Sequence, residues 1–373
     1  AHQYVSQYLR YESLAANLIE LSKGDEPPTD HERILPYDGV YTLVKNRINR
    51  NTQAPTEPDF IRDLEEFGWT MAIEPTSPTG RYWTDVVDSV LKLDASDPTP
   101  NLSESPPTPV HFEVGEGLGL GANVTTCVRR AFGPWRFLNY DVGNVLYIKN
   151  DAGQYVVAVS LIKWSGWIFP WPEFGGVQII QQGHLNMVSR ALLGCGEWIP
   201  PEDVRKHKFL QRQNIVPYEV SRYMASSFRF QGGFTAPLSF NQEGVVEIAD
   251  LPQDSNKQPY TIYSTPADHA GKLYQYFALK PAHAAKKGLA VSLYITADSL
   301  GSNYVYRHFK YNESPLGVTQ VTTQLVASRR QYDWEKNTDV ERRPYVRDIA
   351  DSEGHVARRK FWLSTVVTLT EKR

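Results

Sequence analysis

The most constraining feature of the chain is a series of short β-rich runs that follows Gly232 and Gly233. Strand-forming residues recur there, separated by Gly, Pro, Asn and Asp, at 244–249, 259–264, 272–279, 289–296, 303–311, 317–327 and 356–369. Regular short strands with turn residues between them are typical of antiparallel sandwiches and jelly rolls. We therefore predict an antiparallel β-rich region over residues 241–373.

A second β signal lies in the middle of the chain. Two strand-forming runs, 145–149 and 155–162, flank the turn sequence Asn150-Asp151-Ala152-Gly153, which predicts a β-hairpin. The stretches 178–193 and 201–229 instead have helical spacing, and the second also has proline start signals. Residues 110–240 are thus expected to mix helices and strands.

The first 93 residues are predicted to be mainly helical. Apolar residues recur there at helical spacing over 3–22, 39–49, 58–67 and 83–93. Residues 94–109 follow, with five prolines and few apolar side chains, which indicates an extended linker or arm. The expected fold class is α+β, with a helical N-terminal region followed by an antiparallel β-rich C-terminal region.

Charge and composition exclude several classes of protein. The 373 residues carry 39 basic and 42 acidic side chains, and a formal charge of -3 gives no overall field that would hold a nucleic acid or an anionic membrane. Residues 1–100 are the acidic part, with nine basic and 17 acidic side chains, a net charge of -8. No run of 18 apolar residues predicts a membrane span.

Aromatic residues are the one compositional excess, at 12% of the chain. They are densest between residues 164 and 171, where we interpret Trp164, Trp167, Phe169 and Trp171 as a corner buried in the core or in an interface. Alternatively, the rings form the sugar platform of a glycoside hydrolase, with Glu173 or Asp141 as a carboxylate. The packing interpretation is preferred because the spacing specifies no second carboxylate.

A glycine-rich stretch resembles a nucleotide-binding motif only in part. Gly117, Gly119 and Ala122 match the pattern GxGxxA, and Asp141 follows at a distance suited to a ribose hydroxyl. That motif needs a buried strand before it and a helix after it. The preceding run is half polar and residues 123–128 favour a strand, so we expect a glycine loop without a cofactor.

The cysteines and histidines predict no catalytic or metal site. Cys127 and Cys195 can form one disulfide at most, and the sequence leaves their redox state open. Cys195 could be a nucleophile with His184 or His207, but a free cysteine is more often a small buried residue. No histidine or acidic pattern has metal-ligand spacing. We expect no cofactor, no metal and no catalytic residue.

Basic pairs recur late in the chain, at Arg329, Arg330, Arg342, Arg343, Arg358 and Arg359. Acidic residues lie among them, which favours a salt-bridged surface and, at most, weak and sequence-independent contact with nucleic acid.

The predicted function is a non-enzymatic structural protein that assembles with itself, most specifically a viral capsid subunit enclosing a genome. Such a protein would be found in the virion or the host cytoplasm. Two alternatives stay open: a carbohydrate-active hydrolase that uses the tryptophan-rich segment, and a β-sandwich binding module. The sequence supports the first interpretation through its aromatic excess and proline-rich arm.

Overall fold

A computed structural model describes most of the chain. The described residues are 2–21, 37–48, 53–56, 59–63, 66–76, 86–95, 106–119, 122–183, 192–211, 213–239, 244–249, 260–264, 272–283, 289–297, 304–308, 344–350, 356–363 and 368–372. Within them the α-helices are α1 (His2–Ala15), α2 (Tyr37–Lys45), α3 (Val124–Phe137) and α4 (Tyr218–Ser227). Short 3₁₀ helices span Pro201–Lys206, Lys208–Leu210, Phe228–Phe230 and Ala236–Leu238.

The strands make up the larger part of the fold. They are β1 (Leu18–Glu20), β2 (Gln53–Pro55), β3 (Asp59–Asp63), β4 (Glu66–Pro75), β5 (Val87–Asp94), β6 (Thr108–Phe112), β7 (Tyr140–Lys149), β8 (Tyr155–Ser165), β9 (Trp171–Ile180), β10 (Glu197–Ile199), β11 (Val246–Ile248), β12 (Tyr260–Ser264), β13 (Lys272–Pro281), β14 (Val291–Thr296), β15 (Tyr304–His308), β16 (Pro344–Ala350), β17 (Val356–Leu363) and β18 (Thr368–Lys372). The protein is therefore mostly β-sheet with few helices.

The described strands form four sheets. A five-stranded sheet has the order β2-β4-β5-β6, with β3 also paired to β4. A four-stranded meander runs β10-β9-β8-β7, and a six-stranded sheet runs β1-β15-β14-β13-β11, with β12 also on β13. Strands β16, β17 and β18 form the fourth sheet. Strand β1 pairs parallel with β15, whereas the other pairs are antiparallel.

Apolar packing joins these layers through the meander. One side of the meander, together with α3, packs against the five-stranded sheet in a cluster that includes Phe112, Val128 and Tyr147. Its other side packs on residues 199–215. Helices α1 and α4 cover the six-stranded sheet.

The predicted hairpin is confirmed, and its strands are longer than expected. Strands β7 and β8 pair from Tyr140 with Lys163 to Lys149 with Tyr155. The helix predicted near 39–49 is present as α2, and each β-rich run after residue 241 that has described residues contains a strand. In the runs 244–249 and 289–296 the strand is limited to Val246–Ile248 and Val291–Thr296. The run 317–327 lies outside the described residues.

Several helix predictions in the N-terminal region are wrong. The helix expected over 3–22 ends at Ala15. In the ranges 58–67 and 83–93, the described residues 59–63, 66–67 and 87–93 belong to β3, β4 and β5 instead of helices. In β5, the neighbours Val90 and Leu91 are both buried but pack into different clusters, one with α3 and one with α2. A strand covered on both faces has apolar residues without strict alternation, which is why its pattern resembled a helix.

Two further predictions in the middle region need correction. The β-prone residues 123–128 begin helix α3, because Asn123 caps its N-terminus and accepts a hydrogen bond from Thr126 N at 3.1 Å. The helix expected from residue 178 is wrong at its start, since β9 continues to Ile180. The region 201–229 is helical only in part: 3₁₀ turns lie between Pro201 and Leu210, α4 begins at Tyr218, and the described residues between them are not helical. Among the described helices, none is long and apolar enough to cross a membrane.

Candidate interaction surface

The tryptophan-rich segment forms the turn between β8 and β9 and points largely into solvent. Trp167 is 98% exposed, Ile168 62% and Trp164 41%. Gly166 adopts φ 91°, and a side chain there would collide with the Trp171 ring, so the turn requires glycine at this position. The expectation that Trp164 and Trp167 pack in the chain's core is wrong, whereas their role in an interface with another chain stays a prediction.

The base of this turn is held by hydrogen bonds to one carboxylate. Glu173 accepts from Ser165 Oγ at 2.6 Å, from Trp171 Nε1 at 3.0 Å and from Arg10 Nη1 at 3.2 Å. The Arg10 side chain is almost entirely buried, whereas that of Glu173 is 33% exposed. Trp171, which is half-buried, is thus fixed by its indole nitrogen, as is usual for a tryptophan next to a polar group.

The surroundings favour the charged state of Glu173. Burial raises the pKa of this carboxyl, but the hydrogen bonds from Ser165 and Trp171 and the positive charges of Arg10 and Lys163 outweigh it, so the pKa lies below its usual value. Burial lowers the pKa of Arg10, and Tyr304 and Glu173 offset part of that effect. Arginine stays charged in proteins, so the pair is an ion pair at neutral pH.

Helix α1 adds a second support to the turn. Ser6 Oγ donates to the Pro170 carbonyl at 2.6 Å and lies 2.6 Å from the Tyr223 hydroxyl. His2 Nε2 lies 2.7 Å from the Ile168 carbonyl oxygen. The His2 ring also packs on the half-buried Phe169, with centroids 5.2 Å apart. The exposed rings therefore project from a backbone that side chains hold in place.

A second exposed apolar group lies at the end of α3, in a segment that one backbone hydrogen bond joins to the base of this turn. Trp135 is 84% exposed and Leu138 73%. The Trp164 amide donates to the carbonyl of Asn139, the next residue after Leu138, at 2.8 Å. We call Trp135, Leu138, Trp164, Trp167 and Ile168 the tryptophan surface.

The segments that carry the tryptophan surface are basic. Residues 128–141 contain Arg129, Arg130 and Arg136 against Asp141, and residues 163–173 contain Lys163 against Glu173, which gives the two segments a net charge of +2. Arg129 pairs with Asp141 across 3.5 Å, with both side chains at least half exposed. In a chain of net charge -3, this local excess of cations favours an anionic partner.

Comparison with known proteins supplies no family for this surface. No protein-family model matches the chain, and no curated protein or solved structure matches it either. Function is therefore inferred from the exposure, contacts and charge of the chain's own residues.

The glycoside hydrolase alternative gains no support from the surroundings of Glu173. A retaining or inverting enzyme needs two carboxyl groups about 5–10 Å apart, one of them protonated. The charged groups that act on Glu173 are the cations Arg10 and Lys163, and its lowered pKa keeps it ionised. Its contacts are those of a structural anchor.

The glycine-rich stretch is a loop whose amides are already engaged. Contrary to expectation, strand β6 precedes it and helix α3 follows it. The backbone amides of Glu116 and Gly117 donate to the two carboxylate oxygens of Glu74, at 2.6 and 2.7 Å. A side chain at Gly117 would meet Glu74 Oε2 at 2.6 Å, so glycine permits this close approach. These two amides are therefore already bound to a carboxylate of the chain itself and are not open to a phosphate.

The cysteines form a structural link. Cys127 in α3 and Cys195 form a disulfide, with Cα atoms 5.3 Å apart, and both are buried. Cys195 is thus not a free thiol, His184 lies outside the described residues, and His207 packs against Phe209. The part of the chain that the structure describes has no group of three His, Cys, Asp or Glu side chains that could hold a metal ion.

The late basic residues are only partly described. Arg358 and Arg359 occupy consecutive positions of β17, and their partners across the ladder are Lys372 and Glu371. Arg329, Arg330, Arg342 and Arg343 lie outside the described residues. Nucleic-acid contact through this group stays a prediction.

Sequence reasoning missed Trp135, Leu138, Arg10 and Glu74. A signal existed for the first two, because Gly133-Pro134 predicts a break in a helix and therefore an exposed end. Gly133 indeed adopts φ 72° and kinks α3. No sequence signal joins Arg10 to Glu173 or Glu74 to the glycine loop, since these pairs are 163 and about 42 positions apart.

Proposed function

We propose that this protein is a non-enzymatic structural subunit that assembles with further copies of itself through the tryptophan surface. The observation that carries the proposal is the exposure of Trp167, which is 98% accessible in one chain. Large exposed aromatic side chains are enriched in protein interfaces, and a few such residues supply most of the binding energy.

The rigidity of the turn supports the same conclusion. Ordering a loop on binding costs conformational entropy, which weakens association. Here the hydrogen bonds to Glu173, the Ser6 contact with Pro170 and the His2 contact with Ile168 hold the backbone before any partner arrives. A preorganised aromatic anchor is suited to repeated, identical contacts between subunits.

The specific assembly that we propose is the shell of a virus. Within this proposal, the strands from residue 241 onward form a sandwich or jelly-roll-like unit, and the late arginines make weak, salt-sensitive contact with the enclosed nucleic acid. Extensive antiparallel β-structure, a proline-rich arm and the exposed aromatic surface support it.

The test compares assembly of the full chain with that of surface variants. We expect light scattering after size exclusion to give the wild type a mass of several chains at high concentration, with closed particles in negative-stain images. Trp135→Ala/Trp167→Ala should remain at the mass of one chain. Because Trp167 is almost fully exposed, Trp167→Ala alone should change the free energy of unfolding by no more than about 0.5 kcal/mol.

A matched control comes from another exposed apolar residue. Leu238 is 67% exposed on a separate 3₁₀ helix, so Leu238→Ala removes apolar surface outside the tryptophan surface and should leave assembly unchanged. A wild type that stays at the mass of one chain at every concentration would contradict the proposal. If Leu238→Ala lost assembly to the same extent, the result would contradict the claim that assembly depends on the tryptophan surface.

A further inference from the structure

We propose that the tryptophan surface of one copy binds the proline-rich arm, residues 94–109, of a second copy. This inference rests on the proposed function, because it names the segment that a neighbouring subunit contributes. Three properties make the arm a suitable ligand for the tryptophan surface: its exposure, the packing of proline on aromatic rings, and its charge.

The described end of the arm is exposed, although its last two residues are paired with β5. Pro106, Pro107, Thr108 and Pro109 are all exposed, and Thr108 and Pro109 belong to β6, the edge strand of the five-stranded sheet. Thirteen residues, 95–107, separate the end of β5 from the start of β6, whereas adjacent antiparallel strands need only about 2–5. The excess chain, if extended, can reach roughly 20 Å from the sheet.

Proline-rich segments are natural ligands of exposed aromatic rings. Proline restricts the backbone to an extended conformation before binding, so little entropy is lost, and its ring packs flat against indole. The arm has five prolines, three of them in the exposed Pro-Pro-Thr-Pro sequence. The tryptophan surface offers three exposed indoles together with the exposed Leu138 and Ile168.

The charges of the two segments are opposite. The arm contains Asp94, Asp97 and Glu104 and no basic residue. The segments that carry the tryptophan surface, taken with the adjoining Asp141 and Glu173, contain three arginines and Lys163 against two carboxylates, a net charge of +2. Opposite charge steers the two together and selects against a neutral proline-rich ligand.

The arm that binds comes from another chain. In a single chain the Pro106–Pro109 stretch and Trp167 are exposed at the same time, so neither covers the other. A reciprocal exchange of arms closes a dimer, and a one-way exchange continues into a ring or larger assembly.

The first experiment measures binding of a fluorescently labelled peptide of residues 94–109 to the full-length protein by anisotropy. We expect saturable binding that weakens by about tenfold or more in Trp135→Ala/Trp167→Ala and is unchanged in Leu238→Ala. A peptide with alanine at 106, 107 and 109 should bind no better than a scrambled one. Asn and Gln in place of the three acids should weaken binding and reduce its dependence on salt. Equal binding of the scrambled peptide would overturn the inference.

The same protein is then mixed with phosphatidylserine vesicles and with single-stranded oligonucleotides, since both are anionic. Few cations lie in these segments and salt screens their contacts with anionic probes, so we expect neither probe to compete with the peptide at physiological salt. Displacement of the peptide by vesicles or oligonucleotide would assign the surface to that partner and overturn the inference.

The second experiment separates this inference from the proposed function. Replacement of Pro106, Pro107 and Pro109 by alanine in the full chain should abolish assembly as Trp135→Ala/Trp167→Ala does, with the cooperative unfolding transition retained. Assembly that survives the proline changes but not the tryptophan changes would overturn the arm as occupant and leave self-assembly intact. A wild type that never assembles would overturn both.

Discussion

Arg10 Nη1 donates a hydrogen bond to Glu173 Oε1 across 3.2 Å, and this contact joins the N-terminal helix to the first residues of β9. The pair lies directly beneath the turn that exposes Trp167. Ser165 and Trp171 bind the same carboxylate, so one acidic group determines the position of helix and turn together. The shape of the tryptophan surface therefore depends on a contact between residues 163 positions apart.

Removal of the acid should harm the fold more than removal of the pair. Glu173→Ala leaves the Arg10 cation buried without its partner, and loss of one member of a buried pair costs about 3–5 kcal/mol. Because the Glu173 side chain is 33% exposed, we expect the lower end of that range. Arg10→Met/Glu173→Met should recover part of the loss. Urea unfolding of the two variants measures this, and a double variant less stable than Glu173→Ala would contradict the expectation.

The Glu173 interactions should also give stability a particular dependence on pH. The folded-state pKa of Glu173 lies below its usual value, so its contribution is fully present above that usual value and is lost as pH falls through the folded pKa. Glu173→Gln cannot ionise and lacks this dependence. The stability difference between wild type and Glu173→Gln should therefore be constant near neutral pH and shrink in acid. A difference that grew in acid would exclude this origin.

The parts of the fold that sequence reasoning predicted are those determined by local residues. The β7–β8 hairpin is confirmed because Asn150 itself shapes the turn: its side chain accepts from the amides of Ala152 and Gln154, both at 3.0 Å. Strands β13 and β14 were recognisable from their apolar runs. In such segments local preference and tertiary structure agree.

The rest depended on contacts that sequence spacing does not reveal. The sequence pattern of β5 resembled that of a helix because the strand is buried on both faces. The first residues of α3 have strand preference, and they are helical because Asn123 caps the helix. Exposure of the tryptophans was the reverse of what composition favours, since indole is usually buried. The contact of Glu173 with Arg10 and Trp171 explains why Trp171 is held at the base of the turn, while Gly166 permits the turn from which Trp167 projects.

The Cys127–Cys195 disulfide should contribute strongly to stability. It closes a loop across 68 positions, and removal of that constraint from the unfolded chain corresponds to about 4 kcal/mol in the chain-entropy model. A thiol reagent should detect no free thiol in the denatured, unreduced protein. Cys127→Ala/Cys195→Ala should have a lower unfolding midpoint than the wild type. Two titratable thiols before reduction would contradict the pairing.

A fall in pH should change the contribution of Glu74 to stability in the direction opposite to that of Glu173. Burial raises the pKa of Glu74, and the amides of Gly117 and Glu116 only partly offset this, so the folded protein protonates it more readily than the unfolded chain does. As pH falls from above the folded pKa to the usual carboxyl value, wild type should gain stability relative to Glu74→Gln.

The contact between Glu74 and the glycine loop can be checked by a second pair of variants. Gly117→Ala should destabilise the wild type, because the added carbon would approach Glu74 Oε2 to 2.6 Å. In a Glu74→Ala background the same change meets no carboxylate and should cost clearly less. Unfolding free energies of the four proteins give the coupling directly. Equal costs of Gly117→Ala in both backgrounds would mean that backbone conformation, and not the approach of Glu74, requires glycine at this position.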